Sequence, residues 1–275
     1  MNTIVVPVDF SAVSLNAVQF ATDLALSKGA SMVLFNTYQI PLTFTEVPVV
    51  AVTVEELSEI SRSRLSELQN SLEHITSGRL KIYVESRLGG VVEELDDFCQ
   101  KLRPSAVVMG SAGHGRLHEL FIGGNTSEAM NKIRFPLIIV PPGARFKKPM
   151  NVGLACDMNE IVETLPSERI HEVIGWFGSN LYVLNVTPEA VSMNEDLNAE
   201  SLMADTLLAD LKPTYRFLEE DDVRDGVQSF AETHNLDWLL VIPKKHRNFS
   251  LLLKRSVSRD LAFHSHIPIV CLPVQ

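Results

Sequence analysis

The stretch Ile4-Val5-Val6-Pro7-Val8-Asp9-Phe10 is a continuous apolar run that is followed by an aspartate at its end, and it gives the first indication of the fold. A related stretch, Val152-Gly153-Leu154-Ala155-Cys156-Asp157-Met158, begins about halfway along the chain. Continuous apolar strands are typical of parallel sheets that are covered by helices on both faces. We therefore expect each stretch to be the first strand of an α/β unit.

Two further pairs of segments repeat in the same order. Met32-Val33-Leu34-Phe35-Asn36 corresponds to Leu181-Tyr182-Val183-Leu184-Asn185, and Phe135-Pro136-Leu137-Ile138-Ile139-Val140 corresponds to Ile267-Pro268-Ile269-Val270-Cys271-Leu272. Three pairs in register are hard to ascribe to chance, and internal repeats decide architecture. The sequence therefore predicts two copies of one domain.

The junction between the copies is predicted in a stretch rich in proline and lysine, residues 141–149. A chain of 275 residues is long for one core and suits two domains. We expect domains over residues 1–143 and 150–275, the second of them degenerate.

Short apolar runs alternate with helical patterns in each half, which predicts βαβ units and a mostly parallel sheet. Ser11 is a suitable N-cap for the first helix, and Lys28-Gly29 is a suitable end for it. Further first-half helices are expected over 54–74, 91–102 and 126–133. Strands are expected over 3–8, 31–37, 80–85, 106–109 and 137–140.

The composition of the chain argues against some kinds of binding partner. The formal net charge is -10, and an acidic surface disfavours nucleic acid and anionic lipid. The three cysteines lie far apart among apolar neighbours, as buried thiols in a reducing compartment do. With no signal segment and no apolar run long enough to span a bilayer, we expect a cytoplasmic protein that contacts neither membrane nor nucleic acid.

One segment carries groups suited to binding an anion: Gly110-Ser111-Ala112-Gly113-His114-Gly115-Arg116, followed by Ile122-Gly123-Gly124-Asn125-Thr126-Ser127. Glycines let backbone N–H groups turn toward an anion, and a helix N-terminus adds unpaired donors. Ligands of open α/β sheets bind at the carboxyl ends of strands, where this loop and Asp9 are expected. Glycine loops also serve simply as tight turns, so the pattern alone leaves both interpretations open.

These residues resemble a known family. Val6-Pro7-Val8-Asp9-Phe10-Ser11 looks like the opening of universal stress proteins, and Gly110-x2-Gly113-x9-Gly123 is similar to their nucleotide-binding signature. The resemblance covers each half in turn. It implies two tandem open parallel five-stranded sheets of order 3-2-1-4-5, with helices on both faces and the fifth strands pairing as an internal pseudo-dimer. Further homodimerisation and unidentified protein partners stay open.

The resemblance also implies a ligand, ATP or another adenine nucleotide such as ADP or AMP. Mg²⁺ held through Asp9 is an option, and no other metal site is expected. The implied nucleotide-binding residues are Pro7, Asp9 and Thr37 at the adenine and ribose, Met109 and Gly110 beside the base and sugar, and Gly113, Gly123, Gly124, Asn125 and Thr126 around the phosphates.

One position departs from the family pattern. Gly124 stands where the family has Ser or Thr, so one hydroxyl donor to a terminal phosphate is lost. Losing a hydrogen bond to a charged group costs roughly 1.5–3 kcal/mol, or about tenfold in affinity. Thr126 or Asn125 is expected to compensate.

The second half lacks the glycines. Pro243 is expected at the place of the first glycine, and no glycine remains in the segment 241–256. The basic cluster Lys244-Lys245-His246-Arg247, with Lys254 and Arg255, could attract an anion by charge alone, or be a solvated rim.

Two functions follow from these observations. The first is a stress-response or regulatory protein that binds adenine nucleotide in its first domain only. The alternative is an interaction or dimerisation module of the same fold that binds no nucleotide. No general base is evident beside the loop, so at most slow ATP hydrolysis is expected.

Overall fold

The computed structural model describes residues 2–40, 53–111, 124–187, 195–243, 261 and 265–274. The first half contains β1 (Thr3–Pro7), α1 (Ala12–Lys28), β2 (Ser31–Tyr38), α2 (Val54–Ile75), β3 (Ile82–Leu88), α3 (Val91–Leu102), β4 (Ala106–Gly110), α4 (Gly124–Lys132) and β5 (Leu137–Val140). The second half contains β6 (Asn151–Ala155), α5 (Ile161–Thr164), α6 (Ser167–Gly175), β7 (Asn180–Thr187), α7 (Glu195–Leu208), β8 (Thr214–Glu219), α8 (Val223–Thr233), β9 (Trp238–Val241) and β10 (Ile269–Cys271).

The described strands form one sheet in the order β3-β2-β1-β4-β5-β10-β9-β6-β7-β8. Each half therefore has the predicted order 3-2-1-4-5, and its strands run parallel. The α/β fold is confirmed. The two predicted sheets are one continuous sheet, because β5 and β10 pair antiparallel through Ile139 and Ile269, Ile138 and Val270, and Leu137 and Cys271.

The two halves repeat at the level of single hydrogen bonds. In the first, the Asn36 amide Nδ2 donates to the carbonyl oxygen of Val8 over 2.6 Å. In the second, Asn185 Nδ2 donates to the carbonyl oxygen of Cys156 over 3.0 Å. The two asparagines therefore occupy equivalent places, each tying the end of the first strand to the second strand.

The first helix differs between the halves. Helix α1 begins after Ser11, whose side chain accepts from the N–H of Ser14, and it ends at Gly29 with a φ of 61°. Both boundaries were predicted. The matching segment of the second half is divided into α5 and α6, with Pro166 between them, since proline removes a donor and clashes with the preceding turn.

Strand β3 begins two residues later and ends three residues later than predicted. It runs from Ile82 to Leu88, through polar residues that the apolar pattern excluded. It lies at the end of the sheet, and edge strands tolerate charged side chains because only one side must pair.

The expected linker is packed between the halves. The Phe146 ring lies 5.6 Å from that of Phe20 on α1 and 6.4 Å from that of Trp238 on β9, centroid to centroid. Phe177, which follows α6, lies 5.8 Å from both Phe146 and Trp238. Lys28 donates a hydrogen bond from its Nζ to the carbonyl oxygen of Trp176. An aromatic cluster thus joins α1, the linker and the second half.

In the described part of the chain, every helix is too short or too polar to cross a lipid bilayer.

Candidate functional site

A cleft of about 390 Å³ opens in the first half at the carboxyl ends of β1, β2 and β4. Parallel strands end at the same edge of a sheet, and open α/β sheets bind ligands there. Eight of the residues singled out from the sequence line this cleft: Pro7, Asp9, Thr37, Met109, Gly110, Gly124, Asn125 and Thr126. The other two, Gly113 and Gly123, lie outside the described residues.

Asp9 places an exposed carboxylate in the cleft. Its Oδ1 accepts a hydrogen bond of 2.9 Å from the backbone N–H of Ser11. Partial burial raises the pKa of Asp9, but hydrogen bonds from Ser11 and Ser14 outweigh that effect and lower the pKa overall. The carboxylate is therefore ionised at neutral pH, able to accept hydrogen bonds from a hydroxyl group or to contact a cation.

Helix α4 points its N-terminus into the cleft, and Gly124, Asn125 and Thr126 form its first turn. The first N–H groups of a helix have no partner within the helix, and the helix dipole favours negative charge at that end. This end of the cleft is therefore suited to phosphate.

The hydroxyl of Thr126 has a hydrogen-bond partner within the protein. Its hydroxyl donates to the carbonyl oxygen of Gly110 over 3.1 Å, which ties the start of α4 to the end of β4. Because that donor is already used, Thr126 does not replace the hydroxyl missing at position 124.

Gly110 is required by packing as well as by the site. A Cβ atom at this position would lie 2.5 Å from Cγ1 of Val13 and 2.7 Å from the carbonyl oxygen of Val13. Only glycine lets the first turn of α1 approach β4 so closely. At Gly124, by contrast, no heavy atom of the residues that the structure describes lies within 4 Å of the place of a Cβ.

Sequence reasoning missed several cleft residues, among them Ser11, Ser14 and Asn36. The Asn36 side chain is held in place from both ends, since its Oδ1 accepts from Ser61 Oγ over 2.6 Å while its amide donates to Val8. The repetition of Asn36 as Asn185 was the available signal, because an asparagine that recurs at the end of a buried strand has a structural role.

The second half differs at the equivalent place, and the expected pairing of residues needs a correction. Because β4 and β9 pair with β1 and β6 in the same register, Gly110 corresponds to Ile242 and Ser111 to Pro243. Pro243 does not replace the first glycine. Ile242 does, and its side chain is 8% exposed and belongs to the same buried apolar cluster as Ile161.

A carboxylate from α7 also reaches the crevice of the second half. Glu200 Oε2 accepts a hydrogen bond of 2.8 Å from the backbone N–H of Ile161, the first residue of α5. The basic cluster Lys244–Arg247, with Lys254 and Arg255, lies outside the described residues.

The fold and the cleft define a class: doubly wound α/β proteins with a ligand cleft at the carboxyl ends of parallel strands. Residues 1–141 match the model of the universal stress protein family. The chain belongs to the universal stress protein family, as the sequence motifs predicted. No curated protein sequence matches it significantly.

Solved structures match this chain, two of those described here over nearly all of its residues and one over about half. A universal stress protein from Archaeoglobus fulgidus DSM 4304 is 16% identical, with 100% of this chain and 99% of that chain covered and a TM-score of 0.75. A putative universal stress protein from Pseudomonas aeruginosa UCBPP-PA14 is 11% identical, with coverage of 99% and 93% and a TM-score of 0.64. A universal stress protein in complex with cAMP matches 52% of this chain and 98% of its own, at 20% identity and a TM-score of 0.41.

Proposed function

We propose that the first half of this chain binds an adenine nucleotide, ATP, ADP or AMP, and that the protein acts in the cytoplasm as a stress-response or regulatory protein. One observation carries the proposal: the cleft is lined both by an ionised carboxylate, that of Asp9, and by the N-terminus of α4. A nucleotide carries the two complementary kinds of group, hydroxyl groups that can donate to a carboxylate and phosphates that a helix N-terminus attracts. The three cysteines are free and buried, which suits a reducing compartment.

Different residues of the cleft contact different parts of the nucleotide in this proposal. Asp9 and the backbone near Thr37 face the ribose and base, and Met109 supplies an apolar surface. The N–H groups of Gly124, Asn125 and Thr126 receive the phosphates, where the helix dipole adds to their attraction.

Mg²⁺ would enter with the nucleotide. Among the described residues, no group of three or more acidic, His or Cys side chains could hold a metal ion. Asp9 alone offers one carboxylate, which fits an ion that is bound mainly by phosphates and water.

Binding is proposed for the first half only, with residues 1–143 and 150–275 as the two domains. Ile242 has a buried side chain at the place of Gly110 in the first half. In addition, the Glu200 carboxylate accepts the hydrogen bond of the Ile161 N–H. Both features oppose an anion in the second crevice.

Nucleotide binding is tested by thermal unfolding. A ligand that binds only the folded state stabilises it by about 2.7 kcal/mol at a hundredfold excess over Kd, so about 5 mM ATP with Mg²⁺ should raise the Tm by about 5 °C or more. Asp9→Ala should remove most of this shift. Gly113→Val should abolish it, because valine resists the backbone angles of a glycine loop.

Asp157→Ala is the matched control, because Asp157 has the place of Asp9 in the second half and should leave the shift intact. A Tm that no adenine nucleotide changes would contradict nucleotide binding and favour the alternative, an interaction module without nucleotide. Equal losses for the two aspartate variants would contradict the restriction to the first half.

A substitution at position 124 is expected to raise the affinity of the cleft for ATP. Among the described parts of the chain, no heavy atom lies within 4 Å of a Cβ atom at this position, and serine adds a hydroxyl donor at the phosphate end of the cleft. Gly124→Ser should therefore tighten ATP binding about tenfold, measured by isothermal titration calorimetry. Gly124→Ala is the control, because it adds the Cβ atom of serine without the hydroxyl. This variant should bind ATP like the unmodified chain.

A further inference from the structure

A second cavity, of about 230 Å³, lies in the other half of the molecule. It is bordered by α8, by the residues that precede β9 and by the residues that precede β10. Its floor is apolar and includes the buried side chains of Val227, Leu236, Leu239 and Leu261. We call this cavity the α8 pocket.

The duplicated fold allows the residues around the α8 pocket to be compared with their counterparts in the first half. The N–H of Ile133 donates to the carbonyl oxygen of Ala129 over 2.9 Å in the first half, and the N–H of Ser265 donates to that of Leu261 over 3.1 Å in the second. Ser265 therefore has the place of Ile133. A small polar side chain borders the pocket where the first half has an isoleucine that is 3% exposed.

The facing helix shows the same trend. Helix α3 is followed by Arg103 and helix α8 by Asn235, and both residues have a positive φ, of 52° and 49°. Each residue also lies three positions before the next strand, β4 or β9. The two helices can therefore be aligned through these residues. The aligned pocket residues are Leu95 with Val227 and Cys99 with Ala231. Smaller side chains thus replace two on this helix that are fully buried in the first half, whereas Leu239 and Leu261 on the floor are larger than their counterparts Val107 and Ala129.

The rim of the pocket is polar and mixed in charge. Arg224 and Glu232 have opposite signs, and Gln228 and Asn235 add amide side chains to the rim. The amide of Gln228 donates one hydrogen bond to Glu232 Oε1 over 3.2 Å. Mixed charge gives no net attraction for an anion or a cation, and the chain as a whole carries -10. The amides can each donate and accept a hydrogen bond.

We propose that the α8 pocket binds a small neutral molecule that is mainly apolar, such as an aromatic ring with one hydrogen-bonding group. The volume exceeds the roughly 150 Å³ of an apolar cavity that binds benzene, and it is below the roughly 300 Å³ at which drug-sized sites begin. The apolar floor holds the ring, and a rim amide pairs with the polar group. This ligand is separate from the nucleotide, since the pocket and the cleft lie in different halves.

The test uses indole and the full chain labelled with ¹⁵N. Titration to about 5 mM indole should shift the amide resonances of Val227, Ala231 and Leu239 in a saturable way, with a Kd of about 1 mM or tighter, as expected for a ligand of about nine non-hydrogen atoms. ATP should not displace the indole, so the result does not depend on nucleotide binding.

The first half of the chain suggests a variant in which the α8 pocket is partly filled. The double substitution Val227→Leu and Ala231→Cys gives α8 the side chains of α3 and should weaken indole binding about tenfold or more. Thermal unfolding checks that the variant is folded, and Ala231→Cys alone provides a milder change if the double variant is not. Ser229→Ala, at an exposed position of the same helix, should bind indole like the unmodified chain.

Two results would overturn the proposal. One is the absence of saturable shifts at the pocket residues up to the highest indole concentration. The other is a folded double variant that binds indole as tightly as the unmodified chain does.

Discussion

Replacing Trp238 with alanine is expected to lower the free energy of unfolding by about 3–5 kcal/mol. The side chain is 2% exposed, and its ring lies 6.3 Å from Phe20, 6.4 Å from Phe146 and 5.8 Å from Phe177. These three partners come from α1, the linker and the end of α6. Removal of the indole therefore leaves a cavity where the two halves meet. Urea unfolding followed by far-UV circular dichroism measures the loss.

Phe217→Ala is the control for size and aromatic character. Phe217 is 41% exposed on the edge strand β8, so its truncation should cost about 1 kcal/mol or less. If the two variants lost equal stability, the aromatic cluster would not be what holds the halves together. A Trp238→Ala chain that unfolds in two separate transitions would show that the cluster couples them.

Gly110→Val is expected to have a comparable effect, about 3 kcal/mol of destabilisation. The Cβ atom alone would meet the Val13 carbonyl oxygen at 2.7 Å, and a backbone atom cannot rotate away as a side chain does. The start of α1 must move, and Val13 and Gly110 both line the cleft. The variant should therefore lose nucleotide binding as well as stability, measured by denaturant unfolding and by calorimetry with ATP.

Gly124→Val is the matched control for stability, because no heavy atom within residues 2–40, 53–111 and 124–187 lies within 4 Å of a Cβ atom at Gly124. It should unfold within about 1 kcal/mol of the unmodified chain. A Gly110→Val chain of undiminished stability would contradict the close approach of α1 to β4.

Local patterns predicted much of the fold. The helix from 91 to 102 and the strand from 137 to 140 have the predicted bounds, since an amphipathic period and a buried β-branched run are properties of the segment itself. The strand order within each half was predicted from a family resemblance. Asp9 and Asn125 were placed together because the chain order of a parallel sheet brings strand ends to one edge.

The duplication, and the position of Asp9 and the start of α4 at one cleft of the first copy, could be predicted from the sequence, because strand periodicity, capping residues and glycines act over a few neighbouring positions. Three features could be seen only in the folded chain: the packing of Gly110 against Val13, the hydrogen bond from the Thr126 hydroxyl to Gly110, and the contacts by which Phe146 joins the halves. Each of these depends on a contact between residues far apart in the chain. Such contacts depend on how the helices pack against the sheet. A pattern within one segment of the sequence does not contain this information.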